Sequence, residues 1–287
     1  MTNPWILHFD SEEEFWRSAL EDSVLCIQEV LRKQQECRLG LAGGSTPKIL
    51  YEKLAQAPLP WEKIKIIQLD ERYVPSDDKE SNLGMLRKSL FAHAPIPPEN
   101  IFSFDTSLPY ISAAQEMNRR LGQLEKPGRP LLDCLILGAG ADGHIASLFE
   151  GDSALGSTDY ATVAYAKNYP IPQRLTLTLK ALEQASHALL LLKGAEKIPV
   201  VEALEGKPSK LPLTALKALL PRLTLKVSAY LQNGKVGARI QTELTYSCTG
   251  KHFFPFFGRG AFSGPPVEIP SRLPTKEPLK LFQNRSR

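Results

Sequence analysis

Residues 131–151 read LLDCLILGAGADGHIASLFEG, an apolar run that empties into a glycine-rich loop, and this stretch decides the fold. Leu131, Leu132, Leu135, Ile136 and Leu137 form a short, nearly continuous apolar run, the pattern of a strand covered on both faces in a parallel sheet. Gly138, Gly140 and Gly143 follow, and glycine allows a tight turn and close backbone approach to a ligand. Open α/β sheets bind ligands beyond the carboxyl ends of their strands, so Asp142 and His144 are expected to project into a crevice. A hydrogen-bonded histidine with no chemical role would leave the same trace. The three glycines also satisfy G-x-G-x-x-G, a dinucleotide-binding register. That register normally lies in a first βαβ unit, with an acidic residue about 20 positions on at the end of the second strand. Here Asp159 falls in the polar stretch GSTDY instead.

Upstream, Trp5 to Phe9 reads as a first strand, and Ser11 with Glu14 has the capping-box spacing that opens a long amphipathic helix to about Cys37. Arg38 to Ala42 is a second strand, running into Gly43-Gly44-Ser45-Thr46-Pro47. Pro47 suits the first position of a helix capped by Ser45 or Thr46. A glycine pair and two hydroxyls at a helix start make an anion site, because free N–H groups and the positive end of the dipole converge there. A plain capped turn needs only one of these residues. Ile64 to Leu69 is a third buried strand, ending in Asp70-Glu71-Arg72-Tyr73-Val74-Pro75, three charges where a parallel sheet places its ligand loops. A solvated salt-bridging turn would also account for them. Ser81-Asn82 starts a helix, Ile101 to Phe104 is a brief strand, and Tyr110 to Glu125 is helical by period.

Downstream, Tyr160 to Ala166 is strand-like, and a loop at Pro170 to Arg174 leads into Leu175-Thr176-Leu177-Thr178, with Thr178 placed to cap a helix. Ala188 to Leu192 is another buried strand. Gly194-Ala195-Glu196-Lys197 opens the next helix, where a cation is disfavoured by the dipole unless an anion shares the site. Leu223 to Leu231 is the last strand. The alternation of strands and helices predicts an α/β fold, a doubly wound, mostly parallel, Rossmann-like sheet with helices on both faces.

The chain has 287 residues, 43% hydrophobic and 23% charged, enough to bury a large core in one or two domains. No apolar run approaches the roughly 18 residues that span a bilayer, and the N-terminus carries acidic residues where a signal peptide would be apolar. These features predict a cytoplasmic protein with no membrane partner. Cys26, Cys37, Cys134 and Cys248 lie far apart, with no metal-binding spacing, and predict no disulfide framework. The net charge of +4 is uneven, since residues 232–287 hold nine lysines and arginines against three acids. The acidic remainder excludes nucleic-acid binding by charge. Residues 1–231 therefore read as one α/β domain. Residues 232–287, with six prolines, six glycines and the cluster Phe253, Phe254, Phe256 and Phe257, read as an irregular or disordered tail.

Gly43-Gly44-Ser45-Thr46-Pro47, Asp70 to Pro75 with Ser81-Asn82, and Asp142-Gly143-His144-Ile145-Ala146-Ser147-Leu148-Phe149 resemble, in order, three signature blocks of the 6-phosphogluconolactonases. Arg174 to Thr178 and Gly194-x-x-Lys197 resemble two later blocks, so the likeness covers about residues 1–231. It implies a monomer that hydrolyses 6-phosphoglucono-δ-lactone without metal or cofactor, with a sugar phosphate as its only partner. It assigns His144 as the base that activates water, with Asp142 and Arg72 as catalytic companions. Substrate contacts fall to Gly43, Gly44, Ser45, Thr46, Asp70, Arg174 and Lys197. Ile145 and Glu150 stand where lactonases usually carry threonine and proline. Asp-Gly-His-Ile-Ala is the form found in the related glucosamine-6-phosphate deaminases, whereas Ser147-Leu148-Phe149 follows the lactonases. Two alternatives stay open: a deaminase using Asp70 as base, and a non-catalytic sugar-phosphate sensor. A sensor would normally carry a DNA-binding helix-turn-helix ahead of this fold, and only about nine residues precede the first capped helix.

Overall fold

The computed structural model describes residues 5–211, 213–219 and 224–230. The tail read at 232–287 lies outside the described residues. In chain order the strands are β1 (Trp5–His8), β2 (Cys37–Leu41), β3 (Ile64–Gln68), β4 (Asp70–Arg72), β5 (Ile101–Phe102), β6 (Cys134–Gly138), β7 (Ala161–Tyr165), β8 (Gln173–Leu177), β9 (His187–Lys193) and β10 (Thr224–Tyr230). The helices are α1 (Glu12–Lys33), α2 (Ser45–Leu54), α3 (Asn82–Leu86), α4 (Tyr110–Gly122), α5 (Leu179–Leu182), α6 (Ile198–Leu204) and α7 (Thr214–Leu219).

Seven strands form one parallel sheet in the order β1-β10-β9-β6-β2-β3-β5. Side chains alternate between its faces. Leu39, Leu41, Ile136 and Leu191 join the core under α1 and α2, while Leu135, Leu137, Leu190 and Leu192 join the core under α4, α6 and α7. Burial on both faces explains why these strands carry apolar runs rather than a polar–apolar alternation. The sheet winds outward in both directions from the β2–β6 pair, β2 leading to β3 on one side and β6 to β9 on the other. That is the switch point of a doubly wound sheet, where the loops after the two strands diverge and leave a crevice.

The helix ends depart from the sequence reading by a turn or less. The side chain of Ser11 caps α1 by accepting the Glu14 N–H at 3.1 Å, with Glu12, Glu13 and Glu14 in its first turn and Arg32 and Lys33 in its last. Both charge sets complement the dipole. The helix stops at Lys33 rather than near Cys37, because Cys37 is drawn into β2 beside Ile64. Helix α4 ends at Gly122, short of Glu125.

The chain leaves the large sheet at Leu69. Its N–H donates to the Leu41 carbonyl at 3.0 Å, and its own carbonyl accepts the Leu177 N–H at 2.7 Å. Asp70–Arg72 thus starts a second, antiparallel sheet in the order β4-β8-β7. The charged triplet read as a ligand loop is therefore a short strand as well.

One correction concerns the cysteines. Cys26 on α1 and Cys134 at the start of β6 form a disulfide with a Cα–Cα distance of 6.8 Å, although 108 positions separate them in sequence. Spacing along the chain carries no information about proximity across the helix–sheet interface, which is why the sequence reading missed it. Cys37 is free and buried, and burial pushes its thiol far above its usual value.

Candidate active site

The loop after β6 is folded on itself by hydrogen bonds. Gly143 N–H donates to the Gly140 carbonyl at 3.0 Å, and Gly140 N–H donates to the His144 carbonyl at 2.9 Å. Gly143 has a φ of 87° and Ala146 a φ of 48°. A left-handed alanine is uncommon and persists only where its surroundings hold it. Here the next residue holds it, because Ser147 donates its hydroxyl to Asp70 Oδ2 at 2.9 Å and its N–H to Thr176 Oγ1 at 3.2 Å. No helix follows this loop, which continues through isolated bridges at Ile145 and a short 3-10 turn at Ser153–Gly156. The G-x-G-x-x-G register therefore lacks the helix N-terminus that would bind a pyrophosphate, and the dinucleotide reading falls.

Asp142 and His144 form a pair. Asp142 Oδ1 lies 2.5 Å from His144 Nδ1 and also accepts the His144 N–H at 3.3 Å, closing an Asx turn. Burial by itself would raise the Asp142 carboxyl, but the hydrogen bond and charge of His144, with a smaller contribution from Tyr169, outweigh it and hold it at about 2. An ionised carboxylate only accepts, so Nδ1 carries the proton, and in the neutral tautomer Nε2 is the acceptor. The imidazole side chain is 18% exposed and that of Asp142 50%. Phe149 packs on the ring at 4.4 Å between centroids, and Tyr169 meets it edge-on at 5.5 Å.

Across the switch point, α2 begins at Ser45 with Gly44 as its cap at a φ of 114°. This corrects the expected cap: neither the Ser45 nor the Thr46 hydroxyl caps the helix, since a glycine in this conformation already turns the chain. The amides of the first turn have no partner inside the helix, which leaves the start of α2 with donors to spare. Gly43 is required by close packing, because a Cβ there would lie 2.1 Å from the Asn82 side chain.

Asp70 ties the two loops together. It is 6% exposed, accepting from Ser147 through Oδ2 and from the Gly43 N–H through Oδ1 at 3.4 Å. Glu71 does not face a ligand. It is buried and takes the N–H groups of Arg72, Asn82 and Leu83, each at 2.7 Å, together with the Gln68 amide at 2.9 Å. Burial pushes its carboxyl up against the pull of those donors. Arg72 and Arg174 stand directly opposite each other on β4 and β8. Burial first, and then the Arg72 charge, lowers the Arg174 guanidinium. Arg72 Nη1 reaches the Glu80 carbonyl at 2.7 Å, while its buried Nε has no partner among the described residues. Arg72 Nη1 also lies 3.5 Å from the Glu80 carboxylate, and Arg174 Nε donates to the Ile171 carbonyl at 2.8 Å.

Lys197 caps α6 at the same carboxyl edge of the sheet, half-buried and with no ion pair among the described residues. Ile145 is fully buried, and Glu150 accepts a hydrogen bond from the Thr214 hydroxyl, which ties the loop to α7. Among the described residues no group of three or more metal-ligating side chains could hold a metal, and no helix is long and apolar enough to cross a membrane. The sequence reading missed Tyr169. Asn168-Tyr169-Pro170 lies in a connection without periodicity, and nothing local indicates that it meets a loop 25 residues earlier.

Residues 10–223 match the family model of glucosamine-6-phosphate isomerases/6-phosphogluconolactonase. The 6-phosphogluconolactonase of Thermotoga maritima is 37% identical over 184 residues, covering 63% of this chain and 81% of that protein. The 6-phosphogluconolactonase of Rattus norvegicus is 36% identical over 182 residues, covering 61% and 71%. Among solved structures, 6-phosphogluconolactonase from Thermotoga maritima superposes with a TM-score of 0.68 at 31% identity, covering 79% of this chain and 99% of its own. That from Trypanosoma brucei gives 0.69 at 27% identity, covering 80% and 97%. With its signature loops placed around one crevice and its sequence matched over that length, the chain belongs to the glucosamine-6-phosphate isomerase/6-phosphogluconolactonase family.

Proposed function

We propose that the protein hydrolyses 6-phospho-D-glucono-1,5-lactone to 6-phosphogluconate, a step of the oxidative pentose phosphate pathway, through its domain at residues 1–231. The observation that carries this reading is the Asp142–His144 pair, whose geometry leaves Nε2 of a neutral imidazole without a partner among the described residues. In the proposed reaction Nε2 takes a proton from water as the water oxygen bonds to the lactone carbonyl carbon. Asp142 stabilises the imidazolium that forms. The oxyanion is met by a guanidinium of the Arg72–Arg174 pair. Collapse breaks the bond to the ring oxygen, which receives the proton back from His144. Gly43, Gly44, Ser45 and Thr46 at the start of α2, with Arg174 and Lys197, are assigned to the phosphate, and Asp70 to holding the Gly43 loop. The chemistry needs only water and these groups.

A deaminase would need a free carboxylate base, and Asp70, the candidate, is engaged by Ser147 and Gly43. The relatives named lactonase also favour ester hydrolysis. The test is hydrolysis of freshly generated lactone, corrected for spontaneous opening, with ammonia release from glucosamine 6-phosphate measured in parallel. Lactone opening alone is expected, and His144→Ala should lower its kcat by about 10²–10⁴-fold. Ammonia release alone would replace this reading.

A further inference from the structure

Tyr169 is joined to the proton-transfer pair from a different part of the chain. It lies in the connection between β7 and β8, while Asp142 and His144 lie in the loop after β6. Its hydroxyl is 3.1 Å from Asp142 Oδ2 and 3.4 Å from His144 Nδ1. Because the carboxylate can only accept, the phenol donates to Asp142 and turns its oxygen lone pairs toward the imidazole edge. Its ring packs against Phe149 at 5.4 Å between centroids and carries the Arg174 guanidinium 5.6 Å from its centroid on another side.

Asp142 is half-exposed on a glycine-rich loop, and both of its bonds from His144 fall on Oδ1, which leaves the carboxylate free to rotate about that oxygen. A second anchor on the other oxygen removes the freedom. Oδ1 is fixed by His144 and Oδ2 by Tyr169. Burial first, and then the Asp142 charge, pushes the Tyr169 hydroxyl up to about 12, so it remains a donor through the working pH range. The charged groups facing this cluster are Asp142 from the loop after β6 and Arg174 from β8.

We propose that Tyr169 is a positioning residue for the reaction: its hydroxyl locks the Asp142 carboxylate in register with His144, and its ring closes the imidazole against Phe149. The inference rests on the lactonase reading for its rate effect, but not for its effect on the imidazole. Without the donation from Tyr169 the carboxylate can turn away from Nδ1, and the Nδ1–H bond to Asp142 loosens.

The test compares Tyr169→Phe, which removes only the oxygen and keeps the ring, with Tyr169→Leu, which removes both. For Tyr169→Phe, kcat for lactone opening is expected to fall about 5–10-fold with KM within about two-fold, as for a group acting through another. Tyr169→Leu should lose about 30–100-fold, since the imidazole also loses a wall. The second readout is the NMR resonance of the His144 Nδ1 proton, which its bond to Asp142 holds downfield and protects from exchange with water. In Tyr169→Phe it should move upfield and exchange faster. Both changes are required. A Tyr169→Phe variant with either kcat or the Nδ1 proton resonance at its wild-type value overturns the proposal. If the wild-type protein opens no lactone, the reaction reading fails, and the Nδ1 proton resonance still decides the role of Tyr169.

Discussion

Replacing Gly140 with alanine tests whether the Asp142–His144 pair performs the proton transfer. A Cβ at this position would lie 2.2 Å from His144 Nδ1 and 2.4 Å from Asp142 Oδ1. Ordinary contact begins at 3.4 Å, so the imidazole must retreat by about 1.2 Å and the carboxylate by about 1.0 Å. Neither can do so and keep a 2.5 Å hydrogen bond in line with the crevice. Misplacement of a reacting group by 1 Å costs about 10²-fold, and complete loss of a general base up to about 10⁴-fold. The expected kcat is therefore about 10²–10³-fold below wild type. The fold should survive, because Gly140, unlike Gly143, does not require a left-handed backbone. The added methyl should shift stability by no more than about 1 kcal/mol. The assay is the initial rate of lactone opening above the spontaneous rate, with thermal unfolding followed on the same preparation. Gly156→Ala, where the added methyl meets nothing within 4 Å, is the control. A folded Gly140→Ala protein within about three-fold of the wild-type kcat would refute the assignment of proton transfer to this pair.

Three further outcomes follow from the same geometry. Arg174→Gln leaves Arg72 without its opposed cation, so KM for the lactone should rise about 10–100-fold with a smaller change in kcat; an unaltered KM would remove the anion from this pair. Reduction of Cys26–Cys134, which closes a span of 108 residues, should lower unfolding free energy by about 2–5 kcal/mol in denaturant titrations. Cys26→Ser should reproduce the loss and abolish the response to reductant. The Asp142 carboxyl is held at about 2 in the fold against an ordinary value of 3.8. Its stabilising contribution is thus full above pH 3.8 and lost as the pH falls through 2. The difference in Tm between wild type and Asp142→Asn should shrink as the pH falls below 3.8 and vanish toward pH 2.

The parts of this fold that are legible in the sequence are those whose cause is local. Apolar runs followed by glycine mark the ends of β2 and β6, because a strand buried on both faces must change composition abruptly where it meets a ligand crevice. Ser11 and Glu14 mark the start of α1 for an equally local reason, the orphaned amides of a helix terminus. The antiparallel sheet was hidden. Leu175 to Thr178 reads as an alternating stretch after a loop, but nothing in it states that β8 starts at Gln173 or that its neighbour is Asp70–Arg72 rather than another parallel strand. The disulfide, the Ser147–Asp70 bond and the placement of Tyr169 share this property. Each joins positions between 25 and 108 residues apart, and each depends on packing that only the assembled sheets define. Glu71 shows the reverse error: a charge read as facing a ligand is spent on the backbone amides at the start of α3.

The bridge made by Asp70 has a consequence for substrate choice. One carboxylate grips the amide of the Gly43 loop and the hydroxyl of Ser147 beside the His144 loop, so the two walls of the crevice keep a constant spacing. Such a spacing acts as a ruler. A molecule anchored by its anionic end at the start of α2 presents its far end to Nε2 only when the carbon chain between the two has the right length. With the phosphate at the start of α2, as proposed, such a site would measure its substrate without touching every hydroxyl along it. Sugar lactones one carbon shorter, or lacking the terminal phosphate, would meet the same base at the wrong place on the scale.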